Sequence, residues 1–549
     1  MTRTPLLLAL GAATALIPAA VLAGDIALTP VPAAMPKVTG APAPTNLSPQ
    51  LIAIVVAQGA MPLENPTPLL AAYGYAADGP MLPAANAVQG KDALIEASKT
   101  EPDKNTYLVL DAGKGPDAGY DYGRHFLFQG HEGGAKTAEG KDQGYLTRVN
   151  LDAADVAHRV TLMADKTVDG APIPYVDGTA WDPFAQRLLL TSEEGPEGGV
   201  WQATADFPSK VEALTGIIGQ ASYEGVQVDP TGAIWLVEDE GGPTSKTLKS
   251  AKQPNSFLFR FIPKDPADLA KGGRLEALQI LDGAGKAVTF HADNIDGDIM
   301  SQGMADLHRY GSTLKTRWVP VHDTDKDGTA PYDANALAKT ASATPMKRPE
   351  NGQFRPGSGF RDFVFTETGD TNADTAAGAE HGGFGAVLML SQAAPDAATG
   401  EIRMVLRGEP AATGFDNIAF ASDTVAMVVE DAGDKLHSQR GALDSGFLVD
   451  VTADYSAGLK PVRFLAEGRD AAATVDSGLL ALGETAFQND GDNELTGIHV
   501  SDGDASVAGL IGTKVPHAFA DGWRVFYTQQ HGDNVTWEVI ARPVPTPAG

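Results

Sequence analysis

Cysteine is absent from the 549 residues. That excludes disulfides, a lipid-anchored cysteine and thiolate ligands, so stability has to come from the apolar core and from bound metal ions. Positive charge is scarce: 41 Lys and Arg stand against 70 Asp and Glu, a net charge of −29. Such a field repels nucleic acid and anionic membrane and attracts cations, so divalent cations are expected partners and nucleic acid is not. Past the amino terminus the most apolar stretch is LIAIVVA from Leu51, too short to cross a bilayer. A twin arginine is missing too, since Arg3 stands alone ahead of the apolar run in MTRTPLLLALGAATALIPAAVLAGD. With Val21 and Ala23 placed for cleavage before Gly24, residues 1–23 read as a Sec-type signal peptide, and the chain is expected in the periplasm or outside the cell.

Glycine and proline, in contrast, are plentiful at 61 and 37, as many turns require, and 43% hydrophobic content is that of a globular protein. Residues 24–104 form an Ala- and Pro-rich lead-in followed by pieces of helical character such as NAVQGKDALIEASK. From TYLVLD onward, over 105–545, short β-favouring segments bounded by Gly, Asp and Pro take over. Within them a unit recurs: an acid, a small or amide residue, an alternating strand, a tight turn, a second strand and a closing acid. It runs from Asp177 to Glu193 and Glu194, from Glu224 to Glu238 and Asp239, from Glu350 to Glu367, and from Asp416 to Glu430 and Asp431. A weaker copy opens at Glu494, and RHFLFQGHEGG, ending His131 and Glu132, supplies a closing half. Repeated hairpin units imply an all-β chain folded as a β-propeller, with long inter-strand insertions and a few short helices. The first strand of each blade lines the channel, so the opening acids Asp177, Glu224, Glu350, Asp416 and Glu494 are expected to converge there. Carboxylates so placed raise one another's pKa unless cations join them, and oxygen-only ligands favour calcium.

In this order, DGTAWDPFAQRLLLTSEEG, YEGVQVDPTGAIWLVEDEGG, NSFLFRFIPKDPADLAKGG, MKRPENGQFRP, FDNIAFASDTVAMVVED and NELTGIHVSDG resemble the PhoX-type alkaline phosphatases and related secreted propellers, over roughly residues 105 to 540. The resemblance implies six blades, channel-bound calcium, an oxo-bridged iron pair in the phosphatases, and hydrolysis of phosphate monoesters and some diesters. It carries metal ligation onto Glu224, Glu350, Asp416 and Glu494, and sets Arg348 beside Glu350 in the RPE motif. The family's TCEE motif reads TSEE here, with Ser192 in place of the cysteine iron ligand and Glu193 and Glu194 after it as further metal candidates. A neutral hydroxyl is a much poorer iron(III) ligand than a thiolate, so the departure weakens the case for iron and leaves that for calcium.

Phosphoester hydrolysis would then use a metal-activated water, with Arg348 suited to bidentate contact with phosphate. The same arginine could instead form a salt bridge with a neighbouring acid. Two other readings stay open: a monomeric calcium-bound propeller that has lost catalysis and serves as a binding or structural module, and a calcium-dependent lactonase or esterase. DTDKDG, Asp323 to Gly328, matches the first half of an EF-hand loop, but Ala334 stands at position twelve. His131 and His531 are weaker candidates, and Trp181 and Trp235 are expected to pack within blades.

Overall fold

The turn DPTG, Asp229–Gly232, shows how the repeat folds. Asp229 Oδ1 accepts hydrogen bonds from the backbone of Thr231 and Ala233, and Gly232 takes the positive φ of +81° that closes the turn. Strands Tyr223–Val228 and Ile234–Glu238 leave it antiparallel. Trp235 anchors the hairpin: its Nε1 donates to Asp229 Oδ2, and its rings meet Trp318, Phe354 and Phe363. Full burial of such a side chain is worth roughly 1.5–3 kcal/mol.

In the computed structural model, residues 21–23, 26–34, 45–79, 97–468, 494–530 and 534–543 are described. Most of the signal peptide, most of the NAVQGKDALIEASK segment and His531 lie outside them. The chain is all-β with a few short helices, in a propeller-like arrangement. The first sheet contains strands Pro102–Val109, His125–His131, Tyr145–Asn150 and Val160–Ala164; the second contains Thr179–Asp182, Arg187–Ser192, Gly199–Ala203 and Val211–Ala213.

A nine-stranded sheet follows. It steps through Tyr223–Val228, Ile234–Glu238, Leu258–Pro263 and Gly273–Leu281, crosses Leu314–Asp323, and returns through Thr399–Arg407, Ala386–Gln392, Asp362–Glu367 and Pro349–Phe354. The next sheet holds Phe415–Phe420, Val425–Glu430, Ser445–Asp450 and Val462–Ala466, with the short strand Asn46–Leu47 at its edge. The last holds Glu494–Ser501, Arg524–Gln530, Val535–Ala541 and, from the other end of the chain, Leu51–Ala57. Part of the lead-in is therefore built into the sheets.

The first strands touch in a closed circuit. Pro102–Val109 meets Thr179–Asp182, then come Tyr223–Val228, Pro349–Phe354, Phe415–Phe420 and Glu494–Ser501, which returns to Pro102–Val109. Apolar layers fill the gaps behind them, such as Phe126, Phe128, Leu188 and Leu190 between the first two sheets and Leu127, Val149, Val56 and Phe526 between last and first. Alternation along each strand builds these layers, since successive side chains face opposite neighbours.

DTDKDG forms a helical turn, Thr324–Asp327, capped by Asp323 accepting from Asp325 N. His131 is buried, with Nδ1 against Thr100 O and Nε2 against Thr147 Oγ1; burial pushes it down to about 3, so it stays neutral. Trp181 is partly buried, its Nε1 donating to Ala505 O.

Candidate metal and phosphate site

At one mouth of the circuit, eleven carboxylates, Arg348, Thr496 and Gln530 line a single cavity. Six of the acids come from the leading edges of the first strands: Asp103, Asp177, Glu224, Glu350, Asp416 and Glu494. The backbone explains the aim of Asp103, Glu224, Glu350 and Asp416. Pro102, Tyr223, Pro349 and Phe415 pair with the last residue of the neighbouring strand, and the register slips directly after each of them. The acid occupies that β-bulge, a device that turns a side chain out of the sheet plane.

The other acids close the second strands: Glu132 after His131, Glu193 after Ser192, Asp239 after Glu238 and Asp431 after Glu430. Alternation separates the two residues of each pair. Glu238, Glu367 and Glu430 turn into the sheets and accept backbone N–H groups from Phe257, Lys347 and Thr413. The residue after Glu238 and after Glu430 faces the cavity. Glu101, at φ +21°, completes the lining.

Asp177, Glu193, Glu224, Glu350, Asp416, Glu494 and Arg348 all line the cavity; Glu194 does not. Glu194 is instead the residue ahead of the 3-10 turn Gly195–Glu197. Asp103, Glu132, Asp239, Asp431 and Glu101 were not singled out as ligands by sequence reasoning. Ser192 is fully buried at the end of its strand, outside the cavity lining, and its hydroxyl has no hydrogen-bond partner.

Two subsets approach closely enough to share one ion. Oxygens of Glu193, Glu224, Asp239 and Glu350 lie within 4.8 Å of one another, as do those of Glu132, Asp177 and Glu193. Glu224 and Glu350 are only 4% exposed, and Glu224 Oε2 and Glu350 Oε1 accept no hydrogen bond. A buried carboxylate oxygen without a donor is costly, and a cation removes the cost. Without one, protons must serve. Burial, then the neighbouring charges, push Glu224, Glu193, Asp177 and Asp416 well above the usual carboxylate range, with Glu350 raised to about 8 and Glu132 to about 6. The all-oxygen, all-anionic donor set suits a hard divalent ion and offers nothing for a soft one.

Among the described residues, Arg348 is the one basic residue in the lining. Its Nε donates to both oxygens of Asp239, at 2.9 and 3.0 Å, and its Nη2 donates to Oδ2 at 2.5 Å. Glu350 Oε1 lies 3.6 Å from Nη2. Burial opposes its charge, but Asp239, Glu350 and Glu193 outweigh burial and hold it protonated. The residue is left-handed, φ +56°, and Pro349 follows it. That backbone is strained by order 1 kcal/mol or more and fixes the side chain's origin. Nη1 makes no hydrogen bond among the described residues and remains to donate.

Position within the closing acids carries a prediction. Glu193→Gln is expected to weaken calcium binding by roughly tenfold or more, since ligand charge sets affinity, whereas Glu194→Gln leaves it within about twofold. Calorimetric titration separates the two; equal losses would remove Glu193 from the site.

A family model described as alkaline phosphatase PhoX matches residues 250–505. No curated protein matches the sequence. Among solved structures, Pseudomonas fluorescens PhoX in complex with vanadate, a transition state analogue, is similar in fold: TM-score 0.53 and 12% identity, covering 94% of this chain and 98% of that one. The COPII outer coat vertex, at TM-score 0.34 and 8% identity over 82% of this chain and 86% of that one, is too distant to inform function. Among the described residues no helix is long and apolar enough to cross a membrane. The chain is thus similar to alkaline phosphatase PhoX over the matched segment, just under half its length, and shares the fold of a PhoX structure.

Proposed function

We propose that the chain is a calcium-dependent phosphoester hydrolase acting in the periplasm or outside the cell, monomeric, and built as a six-bladed propeller. In this reading the nine-stranded sheet is two blades joined at their outer edges by Leu314–Asp323. The observation that carries the function is the meeting, in one cavity, of two buried carboxylate oxygens without donors, Glu224 Oε2 and Glu350 Oε1, and a guanidinium with a free Nη1. A structural ion site has no need of the arginine.

Glu193, Glu224, Asp239 and Glu350 would hold one calcium, and Glu132, Asp177 and Glu193 a second. Bound there, the ions neutralise phosphoryl oxygens and lower the pKa of water. Arg348 Nη1 donates to a phosphoryl oxygen and supplies fixed charge where negative charge grows in the transition state. Asp239 grips the other edge of the guanidinium, so the donor is preorganised. The depth of the acids among the sheets limits bulk water around the reacting group.

Ser192 favours a second reading, a calcium-bound propeller without turnover, because no thiolate is available to an iron pair. Elemental analysis combined with assays on p-nitrophenyl phosphate, its diester and a lactone, each with calcium, iron or neither, tests both. Calcium in the protein and calcium-dependent phosphate release are expected. Calcium without any phosphoester turnover would overturn hydrolysis, and lactone cleavage alone would turn the assignment to a carbonyl substrate.

A further inference from the structure

We propose that Lys104 is a built-in cation beneath the acid cavity, standing where a further divalent ion would otherwise sit among Asp103, Asp177, Glu224 and Asp416, and closing the channel there. The proposal rests on the reading that the cavity takes up divalent cations.

Lys104 follows the opening acid Asp103. Its counterparts in the other five repeats are Gly178, Gly225, Asn351, Asn417 and, by register, Gly497, so it is the charged member of an otherwise neutral tier. It is 3% exposed. Its Nζ donates to Asn351 Oδ1 at 2.5 Å, and Asn351 Nδ2 donates to Glu224 Oε1 at 2.5 Å. Asn417 completes the tier, with Nδ2 donating to Thr496 O at 2.6 Å and to Asp416 Oδ1 at 3.0 Å. The buried Lys347 offers a contrast, since it pairs directly with Asp370 at 2.8 Å. Lys104 has no such single partner. Burial pulls its pKa down, and four carboxylates delivered by four different sheets, Glu224, Asp416, Asp103 and Asp177, offset part of that loss.

An ammonium buried without an adjoining carboxylate costs several kcal/mol unless a surrounding field stabilises it. The same converging carboxylates that favour an ammonium here would also favour a metal ion. Lys104 further divides the channel in two. It lines a separate cavity on the far side, with Tyr107, Thr179, Gln353, Ile498 and His499, and is not part of the acid cavity's lining. The orphaned oxygens Glu224 Oε2 and Glu350 Oε1 show that the acid side retains unmet demand for cations.

The test is the count and position of bound ions in wild type, Lys104→Met and Lys104→Gln. Calcium per chain is measured by elemental analysis after gel filtration, and ions are placed by anomalous diffraction from manganese-soaked crystals. Wild type should show density beside Glu193, Glu224, Asp239 and Glu350 but none between Asp103 and Asp416, and each variant should gain about one ion per chain at that position. A wild-type ion at that position overturns the proposal even if neither variant folds. Ions in wild type with an unchanged count in folded variants overturn it while leaving the metal reading intact. No ion in wild type or variant overturns both, whereas an ion in the variants alone supports the role of Lys104 and removes metal from the proposed function.

Discussion

Arg348→Ala is expected to lower kcat/KM for p-nitrophenyl phosphate by roughly 10²–10⁴-fold while leaving calcium content unchanged, the range found when a preorganised charge-stabilising donor is removed. The reasoning is geometric. Arg348 reaches the cavity from a left-handed residue ahead of proline and is held along one edge by Asp239, so its free Nη1 is fixed in direction. Losing it removes a donor and also frees Asp239, whose charge then faces Glu193 and Glu350. That second effect favours cations, so turnover should fall without loss of metal. Lysine should rescue little, because a point charge on a flexible stem cannot grip Asp239 and phosphate together. Turnover within about threefold of wild type in Arg348→Ala would reduce Arg348 to a salt-bridge partner.

Calcium removal should reverse the way stability depends on pH. In the metal-free chain Glu132 is raised to about 6 and Glu350 to about 8, chiefly by burial, while unfolded glutamate titrates at about 4.3. A carboxyl whose folded pKa is raised binds more protons folded than unfolded across that interval, so its contribution is full below the unfolded value and is lost as pH rises through the folded one. The metal-free protein should therefore melt lower at about pH 8.5 than at about pH 5. With calcium the trend inverts, since the ligands must be ionised to bind. Each ion at a thousand times its Kd adds roughly 4 kcal/mol, which for two ions opens a gap on the order of 10 °C near pH 8.5. Scanning calorimetry with and without chelator reads this directly; parallel curves would mean that the acids do not bind calcium.

The opening acids were legible because each precedes an alternating strand and a turn with Asp or Gly, as in YEGVQVDPTG. The bulge that aims them was not, since it depends on pairing with a partner strand. The closing acids show the limit more sharply. In SEEG and VEDEG several carboxylates run together, and strand alternation alone selects Glu193 over Glu194 and Asp239 over Glu238. One residue of uncertainty in where the strand ends reverses that choice. Asp103 and Lys104 were missed for a related reason: their strand begins at Pro102, inside what reads by composition as the tail of the lead-in. Leu314–Asp323, which bridges the outer strands Gly273–Leu281 and Thr399–Arg407, lies within a long insertion with no repeat to announce it.

The pairing of Leu51–Ala57 with Val535–Ala541 ties the two ends of the chain together. It also imposes an order of assembly. A chain emerging from its amino terminus holds one half of this seam from the outset and must wait for nearly its whole length before meeting the other. Until then the circuit stays open, and acids from Glu101 to Glu494 cannot face a common centre. Ion capture is thereby postponed to the end of folding, so the finished cavity forms where the whole chain has arrived, in the compartment whose calcium it is proposed to use.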